Sequence, residues 1–285
     1  YESATRLGIT DRVADLVCEI LVRRRVRKRF GGRLKAMVSG GAPLNTEIGM
    51  FFTALGLRLL QGYGLTESAP VVSCNPPDRV KIDTVGPPFE NVEVRIADDG
   101  EILVQGELVM QGYWNDPEAT QGALRDGWLH TGDIGEIDAD GYIRITDRKK
   151  DIIVNSGGDN IAPQRIEGML TLQPEIAQAM VFGDGRPHIV ALVVPDETFA
   201  QGWAAERGMA ASLDRLVAVQ DFQDAVGAAV ERVNFELSVV ERVRRFTLAA
   251  APFTVENELL TPTLKIRRHK IVDIYRDDLE ALYGG

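Results

Sequence analysis

Residues 128–160 read WLHTGDIGEIDADGYIRITDRKKDIIVNSGGDN, and this stretch sets the organisation of the chain. Residues 135–138 and 142–146 are short strand-like runs on either side of Asp140-Gly141, which marks a hairpin. Asp147-Arg148-Lys149-Lys150-Asp151 follows as a charged break and the predicted domain boundary. Ile152-Ile153-Val154 then opens a new strand. Toward the C-terminus, the pattern predicts a helix over 163–171 and strands over 177–182 and 189–194. The two strands pair across Asp184-Gly185-Arg186-Pro187. Phe222, Val226, Val230, Val233, Leu237 and Val240 form one face of a long helix. A loop, LLTPTLKIRR (259–268), and a final helix complete the chain.

Toward the N-terminus, short strands at 92–96, 101–104 and 107–110 surround the turn Asp98-Asp99-Gly100, giving a small barrel-like β subdomain. Residues 74–88 read as a long loop. Upstream, LKAMVS (34–39) is a strand that runs into Gly40-Gly41-Ala42-Pro43. Asn45 caps a helix reaching about residue 56, with Glu47 in its first turn where the dipole favours an anion. A strand at 57–61 then enters QGYGLTE. Strand, glycine loop, helix, strand is α/β grammar. The predicted class is α/β and α+β. It comprises the end of an α/β domain (1–84), a β subdomain (85–148) and a small α+β C-terminal domain (149–285).

The 285 residues are 45% hydrophobic and 26% charged, a balance that argues against disorder. A net charge of −10 disfavours a general nucleic-acid binder. Cys18 and Cys74 form no CxxC pair, which argues against a disulfide framework and a cysteine zinc site; they read as buried free thiols. The first residues, YESATRLGITDR, carry no apolar run, so a signal peptide is not expected, and the longest apolar candidate, 50–60, is interrupted by Arg58 and too short to span a bilayer. A cytoplasmic protein is expected. The chain lacks an initiator Met and reads as starting inside a longer protein. Residues 1–35 carry ten Lys/Arg against four Asp/Glu, seven of the basic residues lying between Arg23 and Arg33. With Val13, Leu16, Val17, Ile20, Leu21, Val26 and Phe30 at helical spacing, this is either a helix for peripheral membrane contact or a surface helix with a solvated basic face. The second is the commoner case.

Four segments carry chemistry. SGGAPL (39–44) lets a backbone approach a flat ligand closely, though alone it reads as a tight turn. In QGYGLTE (61–67), the Tyr63 ring suits stacking on a base and the Thr66 hydroxyl suits a phosphate oxygen. Glu67 offers the hard oxygen that Mg²⁺ takes beside substrate phosphates. In WLHTGD (128–133), Asp133 suits a ribose cis-diol, and Arg148 suits the same sugar. Taken singly, these two read as a turn carboxylate and a surface guanidinium. His130 has no second His near it and is a poor metal ligand. In TPTLKIRR (261–268), Lys265 sits in a loop from which a point charge can reach a phosphoryl or carboxylate oxygen, and alone it reads as a solvated lysine.

In order and spacing, SGGAPL, QGYGLTE, GELVMQGYW, WLHTGD, DRKKDIIVNSGGDNIAP and TPTLKIRR resemble the acyl-adenylate-forming superfamily of AMP-binding enzymes. The tail DRKKDIIVNSGGDNIAP looks like that of long-chain fatty acyl-CoA synthetases. The resemblance implies a two-step ligase. ATP and Mg²⁺ activate a fatty acid to acyl-AMP, and CoA then takes the acyl group. It implies that Gly41, Ala42, Pro43 and Tyr63 line the adenine. Thr66 would contact the phosphate, Glu67 would hold Mg²⁺, and Asp133 and Arg148 would bind the ribose. Lys265 would bridge carboxylate and α-phosphate, Lys150 would be the hinge of a mobile C-terminal domain, and Ser156, Gly157 and Gly158 would line the CoA tunnel. The family's Ser/Thr/Gly-rich phosphate loop is absent here. The resemblance therefore implies the C-terminal half of the enzyme, with the fragment alone inactive. Two other readings stand beside it: an acyl-AMP ligase serving a carrier protein, and a non-catalytic nucleotide- or partner-binding homologue.

Overall fold

The structure is a computed structural model that describes residues 8–284. The chain divides into two compact units, 1–146 and 147–285.

The first unit opens with a helix, α1 (Ile9–Cys18), that passes through a π turn (Glu19–Arg23) into α2 (Arg24–Arg29). Helical spacing is present, but its apolar side chains are not buried: Val13, Leu16 and Leu21 are 57%, 59% and 54% exposed. Of the seven basic residues between Arg23 and Arg33, Arg24, Arg25, Lys28, Arg29 and Arg33 are exposed, as the surface-helix reading expects. Arg23 donates to Asp15 at 2.7 Å and to the Ala54 carbonyl at 2.7 Å, and Arg27 pairs with Glu19. Cys18 is exposed and Cys74 partly so, which corrects the expectation of buried thiols. No helix among the described residues is long and apolar enough to cross a membrane.

Next comes a crossover unit of β1 (Met37–Ser39), α3 (Thr46–Ala54) and β2 (Leu59–Tyr63). Asn45 caps α3 as its residue type dictates, its side-chain oxygen accepting from the Glu47 and Ile48 amides at 2.8 and 3.3 Å. β1 and β2 are parallel, Ser39 opposite Gln61, and β3 (Ser73–Cys74) adds antiparallel to β2.

Five more strands form the remaining sheet of this unit. β4 (Glu93–Ile96) and β5 (Glu101–Gln105) make the hairpin predicted around Gly100, whose φ of +83° only glycine adopts readily. After α4 (Pro117–Ala123) come β6 (Leu124–Arg125), β7 (Trp128–Ile137) and β8 (Ile143–Arg148). The order is β4-β5-β7-β6, with β8 also on β7. These pairings describe an open sheet; a barrel closure is not among them. Residues 107–110 are not a strand. The Val109 amide closes a turn on the Gly106 carbonyl at 3.1 Å, and the Met110 amide reaches the Glu67 carbonyl at 2.8 Å, so the segment's hydrogen bonds go elsewhere than to the sheet.

The second unit starts with the hairpin β9 (Ile153–Val154) and β10 (Asn160–Ile161), then α5 (Pro163–Leu170), with Pro at its first position. β11 (Ile176–Phe182) and β12 (Ile189–Pro195) are antiparallel. The chain then runs through α6 (Glu197–Glu206), α7 (Leu213–Leu216) and α8 (Gln220–Glu236) to β13 (Val243–Leu248), parallel to β12. Every residue of β12 is buried, as a central strand covered on both faces requires. One face packs Ala191 and Val193 with Ile166, Phe222 and Val226; the other packs Leu192 and Val194 with Ile271 and Leu279 of α9 (Arg268–Ala281). Val240, predicted on the α8 face, lies beyond the helix and is exposed.

Asp147 opens this unit with a carboxylate that is only 4% exposed. One oxygen accepts from the Arg148 amide at 2.6 Å, while Oδ2 is buried with no partner. Burial pushes its pKa up to about 6, helped by nearby Asp151 and opposed by the Arg148 and Gln164 amides and by Arg268. A folded pKa above the unfolded value means that this group's contribution to stability is full below about pH 4 and is lost as pH rises through 6. Asp147→Asn, neutral at every pH, is expected to melt at a higher temperature than the native chain at pH 8. The difference should vanish near pH 4; thermal melts across this range check it.

Candidate active site

In the first unit the predicted residues gather at the carboxyl ends of the parallel strands, where open α/β sheets bind ligands. β1 ends at Ser39 and β2 at Tyr63, so SGGAPL and GLTE leave the same edge. The two loops lie close: a Cβ on Gly40 would stand 3.2 Å from the Gly62 carbonyl oxygen. Gly41 has φ +81° and open space around it, which leaves backbone accessible beside Ala42 and Pro43.

Tyr63 and Asp133 are 70 residues apart in sequence and meet in the structure, the phenol donating to Asp133 Oδ2 at 2.7 Å. Both are buried. Asp133 reaches this place through a bulge in β7. Gly132 has φ +71°, and the register with β5 shifts between Glu101 and Leu103. Glu101, 4% exposed, holds the bulge: it accepts from the Gly132 amide at 2.9 Å and faces His130 Nδ1 at 3.2 Å. Thr131 ties the same turn to the Ile102 carbonyl at 2.7 Å. Sequence reasoning passed over Glu101; its one signal is a carboxylate opening the apolar run EILV.

Thr66 and Glu67 form a short 3₁₀ turn after β2. Thr66 is exposed and Glu67 partly so. Tyr113 donates to Glu67 Oε1 at 2.8 Å, and this bond to a carboxylate raises the phenol's pKa. The Met110 amide bonds the Glu67 carbonyl, so GELVMQGYW grips Glu67 by backbone and side chain together. A hard carboxylate with one oxygen oriented by a phenol and the edge open to solvent fits Mg²⁺. The glycines flanking Tyr63 serve the fold itself. A Cβ on Gly64 would stand 1.7 Å from the Pro70 carbonyl oxygen, and one on Gly62 3.3 Å from that of Ser73.

In the second unit, Arg148 leads into a turn closed by the Asp151 and Ile152 amides on its carbonyl at 2.9 and 3.0 Å. Lys150 is exposed in the middle of that turn. Ser156, Gly157 and Gly158 form the tip of the β9–β10 hairpin. Asn155 Oδ1 accepts from the Gly157 and Asp159 amides, both at 2.9 Å, and the Ser156 amide bonds the Arg186 carbonyl at 2.9 Å. Gly158, at φ +87°, has nothing within 4 Å of a hypothetical Cβ, so the tip is open. Lys265 is exposed on its own loop, between the bridged pair Leu260 and Ile266. Thus Gly41, Ala42, Pro43, Tyr63, Thr66, Glu67 and Asp133 belong to one unit, and Arg148, Lys150, Ser156, Gly157, Gly158 and Lys265 to the other.

Two family models match the chain: the AMP-binding enzyme over residues 7–114 and the AMP-binding enzyme C-terminal domain over 150–285. The chain belongs to the AMP-binding enzyme superfamily. Among curated relatives it is 41% identical over 279 residues to a long-chain-fatty-acid–CoA ligase, FadD15, of Mycobacterium bovis, covering 97% of this chain and 46% of the relative. It is 34% identical to long-chain-fatty-acid–CoA ligase 1 of Cavia porcellus, covering 94% of this chain and 41% of that one. The chain thus spans less than half the length of these relatives and corresponds to their C-terminal portion. Among solved structures, the adenylation domain of the carboxylate reductase from Mycobacterium chelonae matches with a TM-score of 0.76 at 26% identity. That match covers 98% of this chain and 43% of the other.

Proposed function

We propose that this chain is the C-terminal portion of a fatty acid–CoA ligase that acts on long-chain acids in two steps. In the first, a carboxylate oxygen bonds to the α-phosphorus of ATP and pyrophosphate leaves. In the second, the sulfur of CoA bonds to the acyl carbon and AMP leaves. Both steps bring anions together, so catalysis is positioning and charge neutralisation. The observation that carries this reading is the buried Tyr63–Asp133 bond at the carboxyl ends of β1 and β2, in a chain of this superfamily.

Asp133, fixed by Tyr63 and the Glu101-held bulge, accepts from the ribose hydroxyls, and Arg148 donates to the same sugar. Gly41, Ala42 and Pro43 present backbone to the adenine, with Tyr63 beside them. Thr66 donates to the α-phosphate. Glu67, oriented by Tyr113, would hold Mg²⁺, which neutralises phosphate charge when bound. Lys265 supplies a positive charge to the carboxylate and α-phosphate oxygens. Ser156, Gly157 and Gly158 line the path of the CoA arm. The 41% identity to a CoA ligase favours CoA over a carrier protein as acceptor. The test is thioester formation by the full-length protein with ATP, Mg²⁺ and fatty acids of graded length, with CoA and a holo-carrier protein as rival acceptors. Thioester on the carrier alone, or none on either, would overturn the reading.

Tyr113→Phe removes one hydrogen bond to Glu67 and keeps the ring. With a net value of about 1 kcal/mol for such a bond, the Mg²⁺ concentration giving half-maximal acyl-AMP formation is expected to rise about five-fold. The maximal rate at saturating Mg²⁺ should change little. A magnesium titration of pyrophosphate release checks this.

A further inference from the structure

Lys265 is exposed, and its ammonium meets no partner among the described residues. Its aim must therefore come from the loop that bears it. Within the loop, the Thr261 amide bonds the Lys265 carbonyl at 2.8 Å, the Lys265 amide bonds Thr261 Oγ1 at 3.0 Å, and Leu264 sits at φ +61°. These bonds fix the loop's shape. They do not fix its place against the rest of the unit.

At its base Leu259, Leu260 and Ile266 pack on the core around Ile271, and the Arg267 amide bonds the Leu259 carbonyl at 2.8 Å; a polar tie follows three residues after Lys265. Arg268 sends Nη1 to Glu167 Oε1 at 2.8 Å, Nη2 to Glu167 Oε2 at 3.1 Å, and Nη1 also to the Val181 carbonyl at 2.8 Å. Glu167 belongs to α5, is 8% exposed, and accepts from the Val181 amide at 2.8 Å through the same oxygen. One guanidinium thus ties the Lys265 loop to both a helix and the central sheet. Arg268 is also the first residue of α9, the end of a helix where the dipole disfavours a cation. Helix formation does not call for an arginine there; the carboxylate opposite does. Burial opposes the Arg268 charge, but Glu167, with Asp151 and Asp147 behind it, more than offsets this. A two-bond Arg–carboxylate fork admits one orientation, whereas apolar packing would let the start of α9 slide. Replacing such a buried pair with apolar residues is often neutral for stability, so geometry is the better account of its presence.

We propose that the Glu167–Arg268 pair is the positioning element of Lys265, setting where its ammonium stands during acyl-AMP formation. The inference rests on Lys265 acting in that step, and the experiment separates the two claims. In the full-length protein, Arg268→Lys keeps the charge but loses the fork, and Glu167→Gln keeps the volume and an acceptor for the Val181 amide. Acyl-AMP formation is followed by pyrophosphate release, and thioester formation is measured from supplied acyl-AMP and CoA. Each variant is expected to lower the kcat of acyl-AMP formation at least about ten-fold, with KM for ATP and acid within about two-fold, because binding is untouched. Thioester formation should stay within about two-fold, and the Ser156–Gly158 hairpin tip in the same unit makes this a folding control. The double variant should be no worse than the worse single one. Should Arg268→Lys fail to fold, Glu167→Gln decides alone. Equal losses in both half-reactions, or intact acyl-AMP formation, overturn the proposal. Lys265→Ala is run in parallel. If acyl-AMP formation survives it, the role of Lys265 fails and this inference with it; if it collapses there but not in the pair variants, only the inference fails.

Discussion

Lys265→Ala in the full-length protein is expected to lower acyl-AMP formation by about two orders of magnitude or more, the usual loss when a donor aimed at developing charge is removed. Its effect on thioester formation from supplied acyl-AMP should be under about three-fold. The loop is held by the Thr261 amide on the Lys265 carbonyl and the Lys265 amide on Thr261 Oγ1, bonds that alanine keeps, so the substitution removes the charge without removing the loop. The lysine is exposed and contributes nothing to either apolar core of its unit. A charge that acts on one transition state lowers only that half-reaction. Stopped-assay pyrophosphate release and thioester yield, measured separately, check the division of labour. Equal losses in both would sink it.

The second large effect concerns the turn after Arg148. Lys150→Pro is expected to leave acyl-AMP formation within about three-fold and to cut thioester output by more than about ten-fold. Lys150 sits inside the turn closed on the Arg148 carbonyl by the amides of Asp151 and Ile152. Its own amide makes no bond that the ring would remove within this turn, so proline acts by fixing φ near −65° and by disfavouring the helical conformation of Lys149 before it. A junction residue whose φ is fixed cannot absorb the change that a swing between two half-reactions requires. Pyrophosphate exchange compared with thioester output is the measurement. Unchanged thioester output would place the swing elsewhere in the chain.

Much of the fold was legible because local chemistry and tertiary packing agree. Asn45 is a cap residue and caps; Gly100 is a turn residue and turns; the apolar run at 189–194 is a strand buried on both faces. The misses are places where tertiary context wins. Residues 107–110 carry a short apolar run like a strand, but the Val109 and Met110 amides go to Gly106 and Glu67. β13 was passed over because Arg244 and Arg245 interrupt its apolar pattern, and its partner β12 lies some fifty residues earlier, a parallel pairing that no local signal reports. The opening helix was legible as a helix, but what its apolar face meets was not.

The candidate site was legible as an ordered set of motifs and hardly at all residue by residue. Asp133, Glu67 and Lys265 each read alone as an ordinary surface charge. The residues that orient them were missed, because each acts over a long sequence separation: Glu101 on Gly132 across 31 residues, Tyr113 on Glu67 across 46, and Arg268 on Glu167 across 101. A single sequence carries no distance information of that kind.

Gly64 has a consequence for inheritance. Every missense change in a glycine codon adds at least a Cβ, and here that atom would overlap the backbone carbonyl of Pro70, a group with no rotamer to escape through. A population carrying this gene can therefore drift at the third base of that codon and at neither of the first two. The codon is a fixed point one residue beyond the end of β2.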